Sequence, residues 1–246
     1  MSSTYDVIGV DYHLKRHSDP RLKTQIYRSI ESGSAILNVG AGTGSYEDPR
    51  YPLVALEPSL RMIEQRPVNS APAVRGAAET LPFRDKTFDV GLALLTVHHW
   101  ADFERAALEL KRVLRKKIVF LTWDPEVSPF WLVRDYFPEI FRKDQTLFPK
   151  MEDFRKFFPR CSIENVEIPD DCIDGFLGAH WKRPEEYLRP STRQCISAFQ
   201  RLQNFDRGLE ALRCDLENDQ WYERNRELMP LQSLDVGYRI VICEIF

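Results

Sequence analysis

Short apolar runs alternate with amphipathic stretches along the first half of the chain. The apolar runs at 35–39, 53–56, 88–95 and 117–122 predict buried strands, because strands of a parallel sheet are covered on both faces. The stretches between several of these runs carry apolar residues at helical spacing. The alternation of the two patterns over residues 20–123 predicts an α/β fold with a doubly wound parallel sheet.

Capping residues mark the helices of this half. Asp19 is a good N-cap and Pro20 suits the first helical position. Ser59 precedes a short helix that Pro67 stops. Asp102 precedes a helix with a continuous apolar stripe. The sequence therefore predicts three helices, which begin after these caps.

The pattern after Trp123 is less regular. It predicts a helix over 151–158, a strand over 162–168, a mostly helical stretch over 184–228 and a β-rich end over 238–246. The second half is therefore expected to complete the sheet and to add a helical layer.

Composition and charge narrow the class of protein. The chain has 34 Lys and Arg against 37 Asp and Glu, and this balance gives little support to a nucleic-acid binder. No apolar run approaches the ~18 residues of a membrane span. The five cysteines contain no C-x-x-C pair, so the sequence predicts neither a zinc site nor a disulfide scaffold. We expect a reduced, cytoplasmic protein without membrane insertion.

A glycine-rich turn at 38–44 follows the first predicted strand, where open α/β sheets bind their ligands. Gly40 and Gly42 allow the backbone to turn sharply and approach a ligand closely. The sixth position of a dinucleotide fingerprint is Ser45 here, and no lysine follows the turn as in a phosphate-binding loop. The turn therefore favours another ligand class.

An acidic residue, Glu57, ends the second predicted strand, 17 positions after Gly40. A carboxylate has two acceptor oxygens and can bind both hydroxyls of a ribose. The turn and the acid together indicate a site for a nucleoside-containing ligand. The alternative is a tight turn beside a surface glutamate.

Four segments at the ends of these strands carry a family resemblance. They are 38–44, 56–59, 76–83 with 88–89, and 95–100. They resemble the motifs of the class I S-adenosylmethionine-dependent methyltransferases, in particular the type 11 small-molecule branch. The resemblance covers residues 20–123 and includes the last strand, at 235–240.

The resemblance implies a fold and a cofactor. The fold is Rossmann-like, with a mostly parallel seven-stranded sheet, helices on both faces and a helical, aromatic-rich cap. Residues 1–123 would hold the N-terminal helices and the cofactor-binding half. Residues 124–246 would complete the same fold, with the substrate cap at about 172–230. The cofactor would be S-adenosyl-L-methionine and the product S-adenosyl-L-homocysteine.

The resemblance also implies roles for individual residues. Glu57 would hold the ribose hydroxyls, and the segment 77–78 would flank the adenine, where Glu79 or backbone groups replace an aspartate of many members. Arg16 would pair with the cofactor carboxylate, with a surface arginine as the alternative. Because only 12 residues separate Gly44 from Glu57, the first crossover helix is expected to be stunted. The implied cofactor-binding residues are Arg16, Asn38, Gly40, Ala41, Gly42, Thr43, Gly44, Glu57, Pro58, Met62, Ala77, Ala78, Glu79, Leu94, Thr96 and Val97.

His98 and His99 follow the fourth strand and are the candidate catalytic residues. One of them would act on the substrate side as a base or a hydrogen-bond donor, because adjacent residues point apart. The alternative places one ring on Trp100 and the other at the helix that begins near Asp102. No acidic or cysteine partner stands nearby in sequence, so no metal site is predicted.

Aromatic residues concentrate in the second half: 17 of the 29 lie between Trp123 and Asp235. An aromatic cap suits a small apolar or aromatic methyl acceptor, because ligand pockets are mostly apolar with few polar anchors. Motifs typical of adenine, glutamine or cytosine C5 methylation are missing after the fourth strand. The candidate substrate-binding residues are Trp100, His180, Trp181 and Tyr187, with core packing as the alternative for each.

The predicted function is thus methyl transfer to a small metabolite, with no nucleic acid as partner. Two alternatives stay open at this stage. One is a catalytically silent cofactor-binding scaffold, and the other is a methyltransferase that acts on protein or RNA. The sequence leaves the oligomeric state, the acceptor and the methylated atom undetermined.

Overall fold

The computed structural model describes residues 16–246. Its centre is one seven-stranded sheet with the strand order β3-β2-β1-β4-β5-β7-β6. The strands are β1 (Ile36–Val39), β2 (Leu53–Glu57), β3 (Ala73–Arg75), β4 (Phe88–Leu94), β5 (Leu114–Trp123), β6 (Cys161–Pro169) and β7 (Ser233–Glu244). Strands β1 to β5 pair in parallel, whereas β7 runs antiparallel to both β5 and β6. The predicted mostly parallel, seven-stranded Rossmann-like sheet is confirmed.

The helices lie on both sides of this sheet or follow it in short segments. They are α1 (Pro20–Tyr27), α2 (Leu60–Glu64), α3 (Phe103–Val113), α4 (Pro138–Leu147), α5 (Met151–Phe157), α6 (Pro190–Gln194), α7 (Ser197–Gln200), α8 (Asp206–Glu217) and α9 (Gln220–Arg224). Single helical turns lie at Val97–His99, Leu132–Tyr136, Pro184–Leu188 and Arg226–Leu228. The region 172–230 thus consists of short helices and turns rather than one long helical hairpin.

The three predicted caps begin their helices. The Asp19 carboxylate accepts from the Arg21 amide at 2.9 Å, the Ser59 hydroxyl from the Met62 amide at 3.3 Å, and the Asp102 carboxylate from the Arg105 amide at 3.0 Å. Each cap satisfies an amide that the first helical turn leaves unpaired. The caps fix where α1, α2 and α3 start, beside the carboxyl ends of the neighbouring strands.

The connection from β1 to β2 contains turns and no helix between residues 40 and 52, all of which the structure describes. The first crossover helix, which was expected to be stunted, is absent from this connection. The connection is instead held by side chains: Tyr27 donates to the Tyr46 carbonyl at 3.0 Å, and Lys23 to the Glu47 carbonyl at 2.8 Å. The turn after β1 is therefore anchored on α1.

Three apolar cores support the fold. Two of them cover the faces of the sheet, one with α1 and the other with α3 and α5. The third lies under the short helices of the second half and contains Trp131, Tyr187, Phe199 and Trp221, which are almost fully buried. Many aromatic residues of this half are therefore structural, and they build the core on which the helical layer rests.

Two cysteines form a disulfide that the sequence analysis did not predict. Cys161 of β6 and Cys243 of β7 face each other in the antiparallel register and are bonded. The two residues are 82 positions apart, so no local spacing pattern reveals the pair. The expectation of a fully reduced chain without a disulfide is corrected here. Cys172, Cys195 and Cys214 are not part of a disulfide.

Within residues 16–246, no helix is both long and apolar enough to cross a bilayer. The same residues contain no group of three or more His, Cys, Asp or Glu side chains that could hold a metal ion.

Candidate active site

A cavity of about 700 Å3 opens at the carboxyl ends of β1, β2 and β4. The parallel strands point their C-terminal ends to this edge of the sheet, where ligands of open α/β folds bind. Every residue of the implied cofactor set lines the cavity except Gly44 and Val97. The volume lies within the ~300–1,000 Å3 of small-molecule sites. The arrangement brings together residues that stand as far apart in sequence as Arg16 and Thr96.

The glycine turn takes the left-handed backbone conformation at Gly40, Gly42 and Gly44, with φ of 69°, 54° and 87°. A side chain at Gly40 would collide with the Thr96 side chain, which comes from the end of β4. The amides of Gly40 and Ala41 donate to the Leu56 carbonyl at 2.8 and 3.1 Å. The turn is thus pressed between the ends of β2 and β4, and glycine is the residue that fits there.

Glu57 ends β2 and is 4% exposed. One of its carboxylate oxygens accepts from the Gly42 amide at 2.8 Å, and the other accepts from the Ser59 amide at 2.9 Å. These two bonds fix the carboxylate at the cavity wall. Each oxygen can accept a second hydrogen bond, so the group has the acceptors that a ribose diol requires.

An ion pair that the sequence analysis missed lies beneath the glycine turn. Arg66 contacts Glu47 at 2.7 Å, and both side chains are almost completely buried. Arg66 also donates to the Gly42 carbonyl at 3.2 Å, and Asn38 donates to Glu47 at 3.3 Å. The pair connects the turn to the segment after α2. Neither residue forms part of a motif, so no sequence signal pointed to it.

Arg16 lies between the cavity and the second half of the chain. Its guanidinium donates to the Asp174 carboxylate at 2.6 and 3.2 Å, and Asp174 also accepts from the Tyr46 hydroxyl at 2.9 Å. Burial and then the Asp174 charge raise the pKa of Tyr46 well above its usual value, so Tyr46 remains a neutral donor. Arg16 is therefore fixed by Asp174 and mostly buried. The alternative interpretation, a surface arginine, does not apply.

Glu79 lines the large cavity where the resemblance would place the adenine. Its carboxylate accepts from the Ala101 amide at 2.7 Å and from the Asp102 amide at 3.3 Å. Glu79 therefore links the segment after β3 to the start of α3. The role toward an exocyclic amine remains a prediction, and the neighbouring Ala77 and Ala78 line the cavity as expected.

The two candidate catalytic histidines border different cavities. His99 lines the large cavity, whereas His98 lines a second, smaller one. The His98 ring stacks on Phe148 with centroids 4.3 Å apart. Its Nδ1 is buried and has no hydrogen-bond partner among residues 16–246. The alternative in which one ring stacks on Trp100 is therefore replaced by a stack on Phe148.

Both histidines are neutral near pH 7. Burial lowers the pKa of His98 well below its usual value, and the nearby His99, Arg201 and Arg16 lower it further. Burial and Arg201 lower the pKa of His99 to about 4. A neutral imidazole can form a hydrogen bond with a ligand, but the lowered pKa makes the His98 ring a weak base.

The second cavity has a volume of about 60 Å3 and adjoins the first, because Arg16 and Leu95 line both. Its walls are mainly aromatic and aliphatic side chains from β5, β7, α4 and the short helices. They include Trp123, Phe130, Phe148, Phe176, Ile196, Val236 and Tyr238. We call this space the aromatic chamber.

An ion pair lines the aromatic chamber in addition to His98 and Arg16. Asp144 of α4 and Arg201, at the end of α7, form an ion pair on its wall. Burial raises the pKa of Asp144 to about 6, although the Arg201 charge opposes this shift. The pair was not anticipated from the sequence, because its two members lie 57 residues apart in segments without a motif.

The four candidate substrate residues separate in the structure. Trp100 lines the large cavity. His180, Trp181 and Tyr187 line neither cavity and are buried. The Trp181 indole donates to the Ile168 carbonyl at 2.8 Å, and the Tyr187 hydroxyl donates to the Leu177 carbonyl at 2.6 Å. The expectation that these three contact substrate does not fit their positions, and core packing, the alternative for each, describes them.

Comparison with known proteins gives a consistent picture. The family model described as "Methyltransferase domain" matches residues 37–121. A chloroplastic 2-methyl-6-phytyl-1,4-hydroquinone methyltransferase of rice (Oryza sativa subsp. japonica) is 28% identical over 161 residues, covering 61% of this chain and 46% of the relative. The tRNA (carboxymethyluridine(34)-5-O)-methyltransferase of Saccharomyces cerevisiae is 28% identical over 116 residues, covering 46% and 42%. The chain thus spans under half the length of these curated relatives.

Solved structures match over nearly the whole chain. A crystal structure from Anabaena variabilis, described as a candidate methyltransferase of an antibiotic biosynthesis pathway, is 32% identical with a TM-score of 0.87. The match covers 93% of this chain and 98% of that one. The [4+2]-cyclase SpnF matches with a TM-score of 0.54 at 15% identity, covering 98% and 93%, which is a likeness of fold alone.

Proposed function

The chain belongs to the class I S-adenosylmethionine-dependent methyltransferases, and we propose that it transfers a methyl group to a small apolar or aromatic metabolite. The observation that carries the proposal is the contact between its two cavities. The large one has the donors and acceptors of the family's cofactor site, and the aromatic chamber adjoins it at Arg16 and Leu95. A methyl acceptor in the chamber would lie next to the methionine end of the cofactor.

The residues of the large cavity fit the cofactor. Glu57 presents a fixed carboxylate to the ribose diol, and the left-handed glycines keep side chains away from the ligand. When bound, S-adenosylmethionine supplies an electrophilic methyl group on a positively charged sulfur. The protein then has to hold the acceptor in line with that methyl group and to exclude water.

The aromatic chamber would align the acceptor with the methyl group and exclude water. Holding two reactants in a productive geometry accounts for roughly 7–11 kcal/mol of a barrier. The chamber is small and is lined by Trp123, Phe148 and Tyr238, among others. A planar or apolar acceptor would be fixed there by contact on several sides, in a space with little room for solvent.

We propose that His98 forms the hydrogen bond on the acceptor side. Its ring borders the aromatic chamber, its Nδ1 is buried without a partner among the described residues, and its lowered pKa leaves it neutral. An imidazole with a lowered pKa is a weak base, so this nitrogen would orient the acceptor by a hydrogen bond and would not carry its proton. His99 borders the cofactor side and is the second candidate for this role.

Methylation of RNA is the competing function, since the yeast relative is named for a tRNA product. A nucleotide base would have to enter from a polynucleotide through an open groove. The small volume of the chamber, about 60 Å3, and the near-neutral charge of the chain support a small molecule instead.

The test begins with binding of S-adenosylhomocysteine, measured by calorimetry. We expect wild-type protein to bind it and Glu57→Gln to bind about 10–100-fold more weakly, because a hydrogen bond to a charged group is lost. Glu217→Gln, which neutralises an exposed acid at the end of α8, is the matched control and should bind as wild type does. No binding by the wild type, or equal binding by Glu57→Gln, contradicts the cofactor site.

Transfer is tested with S-adenosylmethionine labelled on the methyl group. Label should appear in a small-molecule fraction of a metabolite extract and not in bulk tRNA. Label in tRNA alone would favour the competing function. Binding of S-adenosylhomocysteine without transfer to either fraction would indicate the silent scaffold.

A further inference from the structure

We propose that Arg201 binds a carboxylate of the methyl acceptor, so that the substrate is a small apolar carboxylic acid. The inference rests on the proposed function, because it takes the aromatic chamber as the acceptor site. It adds the chemical class of the acceptor and a specificity-determining residue that no sequence motif indicated.

The first observation is the incomplete pairing of Arg201. One of its terminal nitrogens donates to one oxygen of Asp144, and the other reaches the Ser197 hydroxyl only at 3.4 Å. Its Nε is buried and has no hydrogen-bond partner among residues 16–246. A guanidinium offers five N–H groups in a planar fork that matches a carboxylate in bidentate fashion. Within the described chain, this group therefore has donors left unsatisfied, and the residue lines the aromatic chamber.

The second observation is the weakness of its present partner. Asp144 is 5% exposed, and burial raises the pKa of its carboxyl to about 6 despite the adjacent guanidinium. A carboxyl with such a pKa is partly protonated just below neutral pH. A fully ionised carboxylate of the ligand can therefore bind Arg201 beside Asp144 or in place of Asp144.

The third observation concerns the other charges of the chamber. Arg16 also lines the chamber. Its charge is balanced by the buried Asp174 carboxylate, to which it donates two hydrogen bonds. His98 is neutral because burial lowers the pKa of its ring. Arg201, whose Nε has no partner among the described residues and which contacts one oxygen of Asp144, is thus the cation at the wall with hydrogen-bonding capacity left. An anionic ligand end fits there.

The size and lining of the chamber restrict the rest of the ligand. Its volume of about 60 Å3 corresponds to roughly four water molecules. Apart from the groups already named, its walls are mostly aromatic and aliphatic. A short apolar body with one carboxylate satisfies both the walls and Arg201. Larger acids would require the short helices around residue 196 to move outward.

Binding should also depend on pH in a defined direction. As the pH falls through about 6, Asp144 takes up a proton and ceases to compete for Arg201. An acid whose own pKa is near 4 stays ionised in this range, so its affinity should rise between pH 7.5 and 5.5. The groups that face Asp144 are Arg201, Tyr238 and, on its own helix, Lys143, which donates to the Arg201 carbonyl. Burial raises the pKa of Tyr238, so its hydroxyl keeps its proton throughout this range.

The experiment is a calorimetric titration of the full chain saturated with S-adenosylhomocysteine. The probes are benzoate and its neutral counterpart benzamide, together with propionate and propionamide for the smaller size. We expect at least one acid to bind about 10-fold or more tightly than its amide. Equal affinity for acid and amide in both pairs, or no binding of any probe, overturns the proposal.

Two variants should change the affinity for the acid in opposite directions. Arg201→Gln should weaken it by about 10–100-fold, because a charged hydrogen bond is lost. Asp144→Asn should strengthen it several-fold and abolish its pH dependence, since the competing carboxylate is gone. An ion pair with a purely structural role would make both variants bind worse, and that result contradicts the proposal.

Controls separate this inference from the proposed function. Arg213→Gln removes an exposed arginine of α8 and should leave acid binding unchanged. Each variant must retain affinity for S-adenosylhomocysteine, which reports an intact fold and cofactor site. If Arg201→Gln does not fold, Arg201→Lys keeps the charge but loses the fork and should bind the acid with intermediate affinity. Failure of acid binding with intact cofactor binding overturns this inference alone.

Discussion

The guanidinium of Arg66 and the carboxylate of Glu47 form a buried ion pair under the glycine turn, with 2.7 Å between nitrogen and oxygen. The Arg66 side chain is 4% exposed and that of Glu47 8% exposed. Further hydrogen bonds extend from the pair to the Gly42 and Ala71 carbonyls at 3.2 and 3.0 Å. The connection after β1, which the structure describes in full, contains no crossover helix, and this ion pair supports the glycine turn instead.

Removal of one partner should therefore affect both stability and cofactor binding. Arg66→Met leaves the Glu47 charge buried and unpaired, and breaking a buried pair in this way costs about 3–5 kcal/mol. Urea unfolding should show this loss, and the affinity for S-adenosylhomocysteine should fall with it. Arg213→Met breaks an exposed pair with Glu210 and should cost less than about 1 kcal/mol. Equal losses in the two variants would argue against a supporting role for Arg66.

Much of the cofactor half was predictable because its signals are local. Short, mostly apolar strands such as β1 and β2, and caps such as Asp19 and Asp102, define elements within a few positions of themselves. The glycine turn and Glu57 stand at strand ends, so their shared location follows from a parallel sheet. The structure places these residues around one cavity, as the resemblance implied.

The polar groups around the second cavity escaped prediction for a physical reason. Arg16 meets Asp174 across 158 residues, and Arg201 meets Asp144 across 57. Such pairs depend on how distant segments pack and leave no spacing pattern in the sequence. For the aromatic residues the error was the opposite one, because the sequence predicted ligand contacts for side chains that the structure places in the core. Trp181 and Tyr187 are aromatic residues of the kind that line ligand pockets, but Trp181 packs in the core with α1 and Tyr187 in the core under the short helices.

The glycine turn offers a test with an internal control. Gly40 and Gly33 both have positive φ, at 69° and 78°, but a methyl group at Gly33 meets no atom within 4 Å, whereas at Gly40 it collides with Thr96. Gly33→Ala should cost only the backbone penalty of about 1–2 kcal/mol. Gly40→Ala should cost an additional ~1–3 kcal/mol for overpacking and should weaken binding of S-adenosylhomocysteine. Thermal unfolding and calorimetry measure both effects, and equal destabilisation would show that Thr96 moves aside freely.

His180 should make the stability of the protein depend on pH. Burial, with a smaller effect of Arg183, lowers the pKa of its ring from 6.5 to about 4. Its contribution is complete above pH 6.5 and is lost as the pH falls toward 4, because the unfolded chain then binds a proton that the folded one does not. The loss amounts to roughly 3 kcal/mol over this window.

A matched variant isolates this effect from other titrating groups. Asp144 acts with the opposite sign, since its raised pKa makes the folded state bind a proton first as the pH falls below about 6. The stability difference between wild type and His180→Phe should therefore be followed by urea unfolding from pH 7.5 to 4.5. It should shift in favour of the variant as the pH decreases. A difference that is constant with pH would mean that His180 titrates normally in the folded protein.

The disulfide between Cys161 and Cys243 should stabilise the antiparallel edge of the sheet without affecting the cofactor site. It joins β6 to β7 beside Ile118, midway along β5, whereas the large cavity opens at the carboxyl ends of β1, β2 and β4. Replacement of both cysteines by serine should lower the free energy of unfolding by about 2–4 kcal/mol, because the unfolded chain gains freedom. The affinity for S-adenosylhomocysteine should stay the same.

Thiol counting checks that the bond forms. Unfolded, oxidised protein should expose three thiols to a maleimide and five after reduction. The control Cys214→Ser, at an exposed thiol outside the disulfide, should leave stability unchanged. Five reactive thiols before reduction would show that the bond does not form.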